Sequence, residues 1–247
     1  MKKRIVLLDE LRGFVFLLML TYHLLFDLQF IFGKDIFIFR SQLYQYIAWF
    51  IGISYIFISG ISSNLSKNIY KRGTICFLAA MIVTIATYIA TPQLTIYFGI
   101  LHFLGIAMFL SPLIKKVADK ISPIAVILIC LLGFFLTFNL NMGYLGIKPY
   151  FFLNIPYKIR ELRFLFPFGI CSPEFSSGDF YPIFPWIFIY TCGIICGEKL
   201  KMKKLSDYYY KVHSKILNFC GKHSLILYLI HQIALVAALE IFFKVLF

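Results

Sequence analysis

Asp9, Arg12, His23 and Asp27 lie in a stretch otherwise apolar enough to cross a bilayer. Each ionisable group near a bilayer centre costs roughly 2.5–3.5 kcal/mol on insertion scales, so a helix that only anchored the protein would not carry them. At about 100° per residue, the eleven steps from Arg12 to His23 return to within roughly 20° on the helix face. Asp27 follows His23 by four residues and Asp9 precedes Arg12 by three. All four therefore share one stripe, with Phe16 and Met19 between them. Such a stripe faces protein or a wet cavity. A buried guanidinium grips phosphate or carboxylate through two parallel hydrogen bonds. An imidazole beside a carboxylate is the common general base, and an imidazole can also attack as a nucleophile and become acylated. The alternative is a purely structural network, Asp9 with Arg12 and Asp27 with His23, that locks the helix into its neighbours.

The elements that hold these groups follow from composition. Of the 247 residues, 61% are hydrophobic and 19% aromatic, with a mean hydropathy of +0.85. A soluble domain is nearer 45–50% apolar. The chain reads as an all-α, polytopic bundle of transmembrane helices, and continuous rather than alternating apolar runs exclude a β-barrel. Seven spans are expected, near 6–30, 44–62, 74–91, 96–114, 122–139, 182–198 and 224–246. No small-residue cleavage site follows the first run, where Tyr22 to Gln29 is bulky, so the first helix is expected to be retained. Residues 140–181 read as a long loop with a short re-entrant or interfacial piece around Arg163–Ile170. Internal repeats and low-complexity tracts are absent, and residues 1–247 are expected to form a single domain.

The net charge of +13 invites a nucleic-acid reading. The Lys and Arg residues instead sit in short loops between apolar runs, where they set topology. Sixteen fall on the side of the N-terminus: Lys2, Lys3 and Arg4, six more in the second and fourth loops, and seven between Lys199 and Lys222. Seven fall on the other side, four of them in the long loop. The N-terminus is expected in the cytoplasm and the C-terminus outside, in a multi-pass protein of the cell membrane. The six cysteines form no disulfide framework, and Cys192 and Cys196 lack a histidine at ligand spacing, so no metal site is expected.

Depth along the spans sorts the remaining polar residues into two groups. His102 in span four and Asp179 just before span six fall at the depth of His23 and Asp27, giving an outer acid–base group. His231 and Gln232, about seven residues into span seven, fall near Arg12 and Asp9, giving an inner cationic group. Other polar residues have plainer readings. His102 can simply bond a neighbouring backbone group. Ser59, Ser62, Ser63 and Asn64 suit close helix packing. Trp186 and Tyr181 suit an aromatic belt, and His213 and His223 suit a solvated loop.

Together these groups would suit group transfer across the membrane, with an anionic cosubstrate at Arg12 and an acceptor reaching His23 from outside. The segments LDELRGFVFLLMLTYHLLFDL, FISGISS, GILHFLGIA, SGDFYPIFPWIFIYTCGIICGE and GKHSLILYLIHQIAL resemble, in order along nearly the whole chain, bacterial membrane proteins related to the catalytic region of heparan-α-glucosaminide N-acetyltransferase. Arg12-x10-His23 is also similar to an element of integral-membrane sugar O-acyltransferases. The resemblance implies a transmembrane acyltransferase that takes an acetyl or other acyl group from cytoplasmic acyl-CoA and passes it to an extracytoplasmic saccharide. Carried over by position, Arg12 would handle the cosubstrate's anionic part and His23 would be the catalytic imidazole. One departure is that the lysosomal enzyme has a histidine after the equivalent helix, whereas residues 31–45 here contain none. Two other classes stay open: a transporter or flippase, disfavoured by the lack of an inverted repeat, and a non-catalytic membrane subunit.

Overall fold

The computed structural model describes residues 4–202 and 205–246, so Lys2, Lys3, Lys203 and Lys204 of the charge bias lie outside the described residues. The helices are α1 (Val6–Phe30), α2 (Leu43–Ser63), α3 (Ile69–Ala90), α4 (Ile100–Ala118) and α5 (Pro123–Thr137). A hairpin of β1 (Tyr144–Ile147) and β2 (Phe151–Asn154) follows, then α6 (Tyr157–Arg160), α7 (Ile183–Met202), α8 (Lys215–Lys222) and α9 (Ser224–Leu246). Seven of these helices are long and apolar enough to span a membrane, the fifth when counted through to Met142.

Local chemistry sets the boundaries. Gly33, at φ +64°, takes the left-handed turn that ends the run out of α1. The Asn68 side chain accepts the Lys71 N–H at 2.9 Å, which starts α3 five residues earlier than the apolar run alone indicates. Ser122 caps α5, with Pro123 in its first turn. Span four starts at Ile100 rather than 96, because Phe98 pairs as extended chain with Phe180. The stretch 140–181 contains no further span. It holds the antiparallel hairpin, registered Tyr144 to Asn154 and Ile147 to Phe151, and a 3-10 turn over Arg163–Phe168. The hairpin escapes a hydropathy reading because four-residue strands carry no membrane-length signal.

Chain contacts divide the protein into two compact units, residues 1–58 with 204–247, and residues 59–203. In the first, Val15, Phe16 and Met19 of α1 pack against Ile51 and Ile58 of α2, Cys220 of α8 and Leu227 and Tyr228 of α9. The backbone of α8 lies directly on α1: a Cβ on Gly221 would overlap the Asp9 carbonyl oxygen, and one on Gly13 the Leu217 carbonyl oxygen. Further along, His231 meets His23, Gln232 meets Asp27, and Phe243 stacks on Phe32. Contacts therefore advance in the same order along α1 and α9, and the two helices run parallel. Parallel first and last spans require an odd number of crossings.

In the second unit, α7 touches α4, α5 and the end of α2. Tyr190 hydrogen-bonds Ser111 of α4 at 2.7 Å, and Lys115 pairs with Glu198 at 2.5 Å. The Asn64 amide donates to the Ile194 carbonyl at 2.8 Å. Gly60 and Gly197 each lie where a Cβ would strike the facing helix's backbone, so the small residues after Ser59 serve close packing. Trp186 departs from its belt reading. It is 6% exposed and packs on Phe134 and Tyr181, because it belongs to the α5–α7 contact rather than to the lipid face.

Candidate active site

The polar stripe of α1 turns inward. Asp9, Phe16, Met19 and Asp27 are buried, and the Arg12 side chain is 16% exposed. Asp9 sits between two guanidiniums, 2.5 Å from Arg4 Nε and 3.0 Å from Arg12 Nη1. Arg4 and Arg12 thus share one carboxylate at the start of α1. Arg12 Nη1 also donates to the Gly221 carbonyl at 3.4 Å, so the close α1–α8 crossing fixes the guanidinium's position.

His23 and Asp27 do not bond to each other. Asp27 is fully buried and accepts both carboxylate contacts from Gln232 Nε2, at 2.8 and 3.0 Å. His23 instead meets His231, ring centroid to ring centroid at 5.0 Å. His231 and Gln232 thus join His23 and Asp27, and not Arg12 as their depth in span seven indicated. The two helices do not start level: His231 is seven residues into α9 and meets His23, seventeen residues into α1, so α9 begins near the third turn of α1.

His231 Nδ1 lies 2.5 Å from the Tyr228 carbonyl oxygen. A carbonyl only accepts, so Nδ1 carries the proton and Nε2 keeps its lone pair. Among the described residues Nε2 is buried without a hydrogen-bond partner, as is Gln232 Oε1.

In the second unit, His102 and Asp179 are both occupied at the start of α4. The Gly99 N–H donates to His102 Nδ1 at 3.3 Å, so Nε2 carries the proton toward Thr84 Oγ1, also at 3.3 Å. Thr84 in turn donates to the Ile96 carbonyl at 2.6 Å. Asp179 Oδ2 accepts the Ile100 N–H at 3.1 Å, next to Gly99, whose Cβ position lies 2.7 Å from the same oxygen. Both residues shape one helix start, where a negative charge is also favoured by the helix dipole. Burial pushes the Asp179 carboxyl up to about 6. Its unfolded value is near 3.8, so the folded state holds this proton more tightly, and stability falls as pH rises from about 4 through 6. Asp179→Asn is expected to flatten that part of the thermal-stability profile in detergent. An unchanged slope between pH 4 and 7 would assign the dependence to other groups.

Glu10 escaped the sequence reading. It lies about 100° round the helix from Asp9 and is 4% exposed. It accepts the backbone N–H groups of His213 and Ser214 at 2.7 and 2.8 Å and sits 3.0 Å from His213 Nδ1. His213 is therefore tied to α1 and packed at a tilt against Tyr208, ring centroids 4.2 Å apart, not loosely solvated, while His223 is exposed. The available signal was a second acid beside Asp9 in an apolar run. Among the described residues, no group of three or more His, Cys, Asp or Glu side chains has metal-site geometry.

Seven membrane-length helices, with carboxylates buried along the first and a half-buried imidazole on the same face, define a multi-pass membrane protein with a polar intramembrane centre. The chain belongs to the family described as heparan-alpha-glucosaminide N-acetyltransferase, catalytic, whose profile matches residues 4–233. The match covers the α1 stripe and extends to His231 and Gln232. It makes the protein a member of a transmembrane acetyltransferase family. No curated protein and no solved structure matches the chain.

Proposed function

We propose that the protein transfers an acetyl or other acyl group from cytoplasmic acyl-CoA to an amine or hydroxyl of a saccharide on the far side of the cell membrane, a glycan modification. The carrying observation is the inward-facing stripe of α1, with two guanidiniums sharing one carboxylate at its start and an imidazole eleven residues beyond Arg12, in a chain of this family. That separation corresponds to about 16 Å of helix. Arg12, backed by Asp9, grips the anionic part of the CoA molecule. His23 stands at the thioester, with Asp27 acting through Gln232 to fix the α1–α9 contact beside it. His102 and Asp179 are positioning residues that hold the start of α4.

In the reaction, the acceptor's N or O forms a bond to the thioester carbonyl carbon. The carbon–sulfur bond breaks, and the acceptor's proton ends on the CoA thiol. Two routes fit His23: it removes the proton as general base, or it first becomes acyl-imidazole and then passes the acyl group on.

The test is CoA affinity by calorimetry. Arg12→Ala is expected to weaken it at least about tenfold. Arg12→Lys should lie between Arg12→Ala and the parent, because a point charge does not replace a guanidinium fork. Equal affinity in parent and Arg12→Ala would mean that Asp9 absorbs the whole charge of Arg12 and that the stripe is structural. The sixteen-to-seven charge bias supports a cytoplasmic N-terminus and an external C-terminus. A reporter fused after Phe247 should be active only outside, and activity only in the cytoplasm would refute this orientation.

A further inference from the structure

His231 is the one histidine on the α1–α9 contact whose hydrogen-bonding state is fixed by the backbone. Its Nδ1–H is committed to the Tyr228 carbonyl at 2.5 Å, and the side chain is held between Phe16 and Tyr228. The residue is 8% exposed, and its Nε2 has no partner. A buried polar atom without a hydrogen bond has lost its solvation with nothing in exchange, and inside a membrane no bulk water offsets that cost. One residue on, Gln232 Oε1 is a second buried acceptor without a donor. Its amide end is occupied on Asp27. Both atoms can only accept hydrogen bonds, and both sit beside His23 and Asp27. A group that satisfies them must carry N–H or O–H, and those are the bonds that an acyl acceptor brings.

We infer that His231, on the reading of the chain as an acyltransferase, is the general base that takes the acceptor's proton in direct transfer from the thioester, with His23 holding the thioester in place beside it. The attacking amine or hydroxyl donates its hydrogen bond to His231 Nε2, and Gln232 Oε1 takes a second donor of the same acceptor. As the acceptor's N or O bonds to the carbonyl carbon, its proton moves to Nε2. The imidazolium that forms keeps its Nδ1–H on the Tyr228 carbonyl, which stabilises the added positive charge. When the carbon–sulfur bond breaks, the departing thiolate takes that proton, so atoms and charge balance without a further reactant. The ring separation of 5.0 Å between His23 and His231 places the base next to the acyl group without a bond between the two imidazoles.

The test measures CoA release from acetyl-CoA by purified protein with two nucleophiles. Water must lose a proton as it attacks. Hydroxylamine attacks through a neutral nitrogen and loses its proton afterwards. His231→Gln keeps a donor for the Tyr228 carbonyl but has no base, and His231→Ala is run beside it with CoA affinity as the check on folding. The expected result is a loss of about 100-fold or more with water, a loss of only a few-fold with hydroxylamine, and unchanged CoA affinity. His23→Ala should lose both reactions. Parent-like release with water in His231→Gln would overturn the assignment, as would equal losses with the two nucleophiles, the signature of a packing role. If His23→Ala keeps both reactions while His231→Gln behaves as stated, the role of His23 fails and that of His231 stands. A parent protein that releases no CoA with either nucleophile would refute the acyltransferase reading and this inference together.

Discussion

Replacing His23 by alanine is expected to leave a folded protein that binds CoA with parent affinity and transfers acyl groups at least about 100-fold more slowly. The magnitude is the usual contribution of a positioned imidazole to proton transfer or nucleophilic attack. Folding should survive because His23 is only half-buried and its contacts are ring contacts with Tyr22 and His231. Asp27→Asn should be milder. The carboxylate reaches the centre through Gln232, and an asparagine oxygen still accepts one amide hydrogen bond. Initial rates of CoA release, normalised to folded protein by size exclusion, separate the two. If folded His23→Ala keeps near-parent activity, His23 is structural.

The second large effect is mechanical. Gly221→Ala is expected to destabilise the protein by about 3 kcal/mol or more, at or above the upper end of usual overpacking costs. The added methyl would overlap the Asp9 carbonyl oxygen. The struck atom is backbone on both sides, so no rotamer change relieves it, and α8 must move off α1. That movement also breaks the Arg12 contact to the Gly221 carbonyl, so CoA affinity should fall with stability. Gly13→Ala, which would strike the Leu217 carbonyl oxygen, should behave alike. Melting temperature in detergent, with CoA affinity at a temperature where the variant is folded, reads both effects. A melting temperature within one degree or so of the parent would mean that α8 has room to yield.

The spans and the inward stripe were legible because membrane insertion constrains composition so strongly: length sets the span, and the cost of a buried charge marks the face that must meet protein. Asp9 to Asp27 needed nothing beyond helical periodicity. The partners of that stripe were not legible from depth alone. Counting from the helix starts assumes that α1 and α9 begin at one level, whereas the His23–His231 contact offsets them by about ten residues, and α8 packs back onto Asp9 and Gly13 ahead of α9. Gly13 and Gly221 carried that information, yet a glycine pair 208 positions apart in sequence names its partner only once the chain is folded. His102 and Asp179 show the converse. Their residue types fit an acid–base pair, but the Gly99–Ile100 turn takes up their hydrogen bonds, a use no spacing rule distinguishes from chemistry. Glu10 was overlooked because it stands off the stripe, and its three bonds to residues 213 and 214 depend on a chain reversal between distant segments.

The most direct test of transfer across the membrane uses sealed vesicles with the N-terminal face of the protein outward. Labelled acetyl-CoA is added outside, and amine- and hydroxyl-bearing saccharides, with hydroxylamine as a general acceptor, are enclosed within. The account predicts labelled acetyl product inside the vesicles and free CoA outside, both lost in His23→Ala. Intact parent vesicles that form no labelled product, or product that appears only on the outer side, would contradict it.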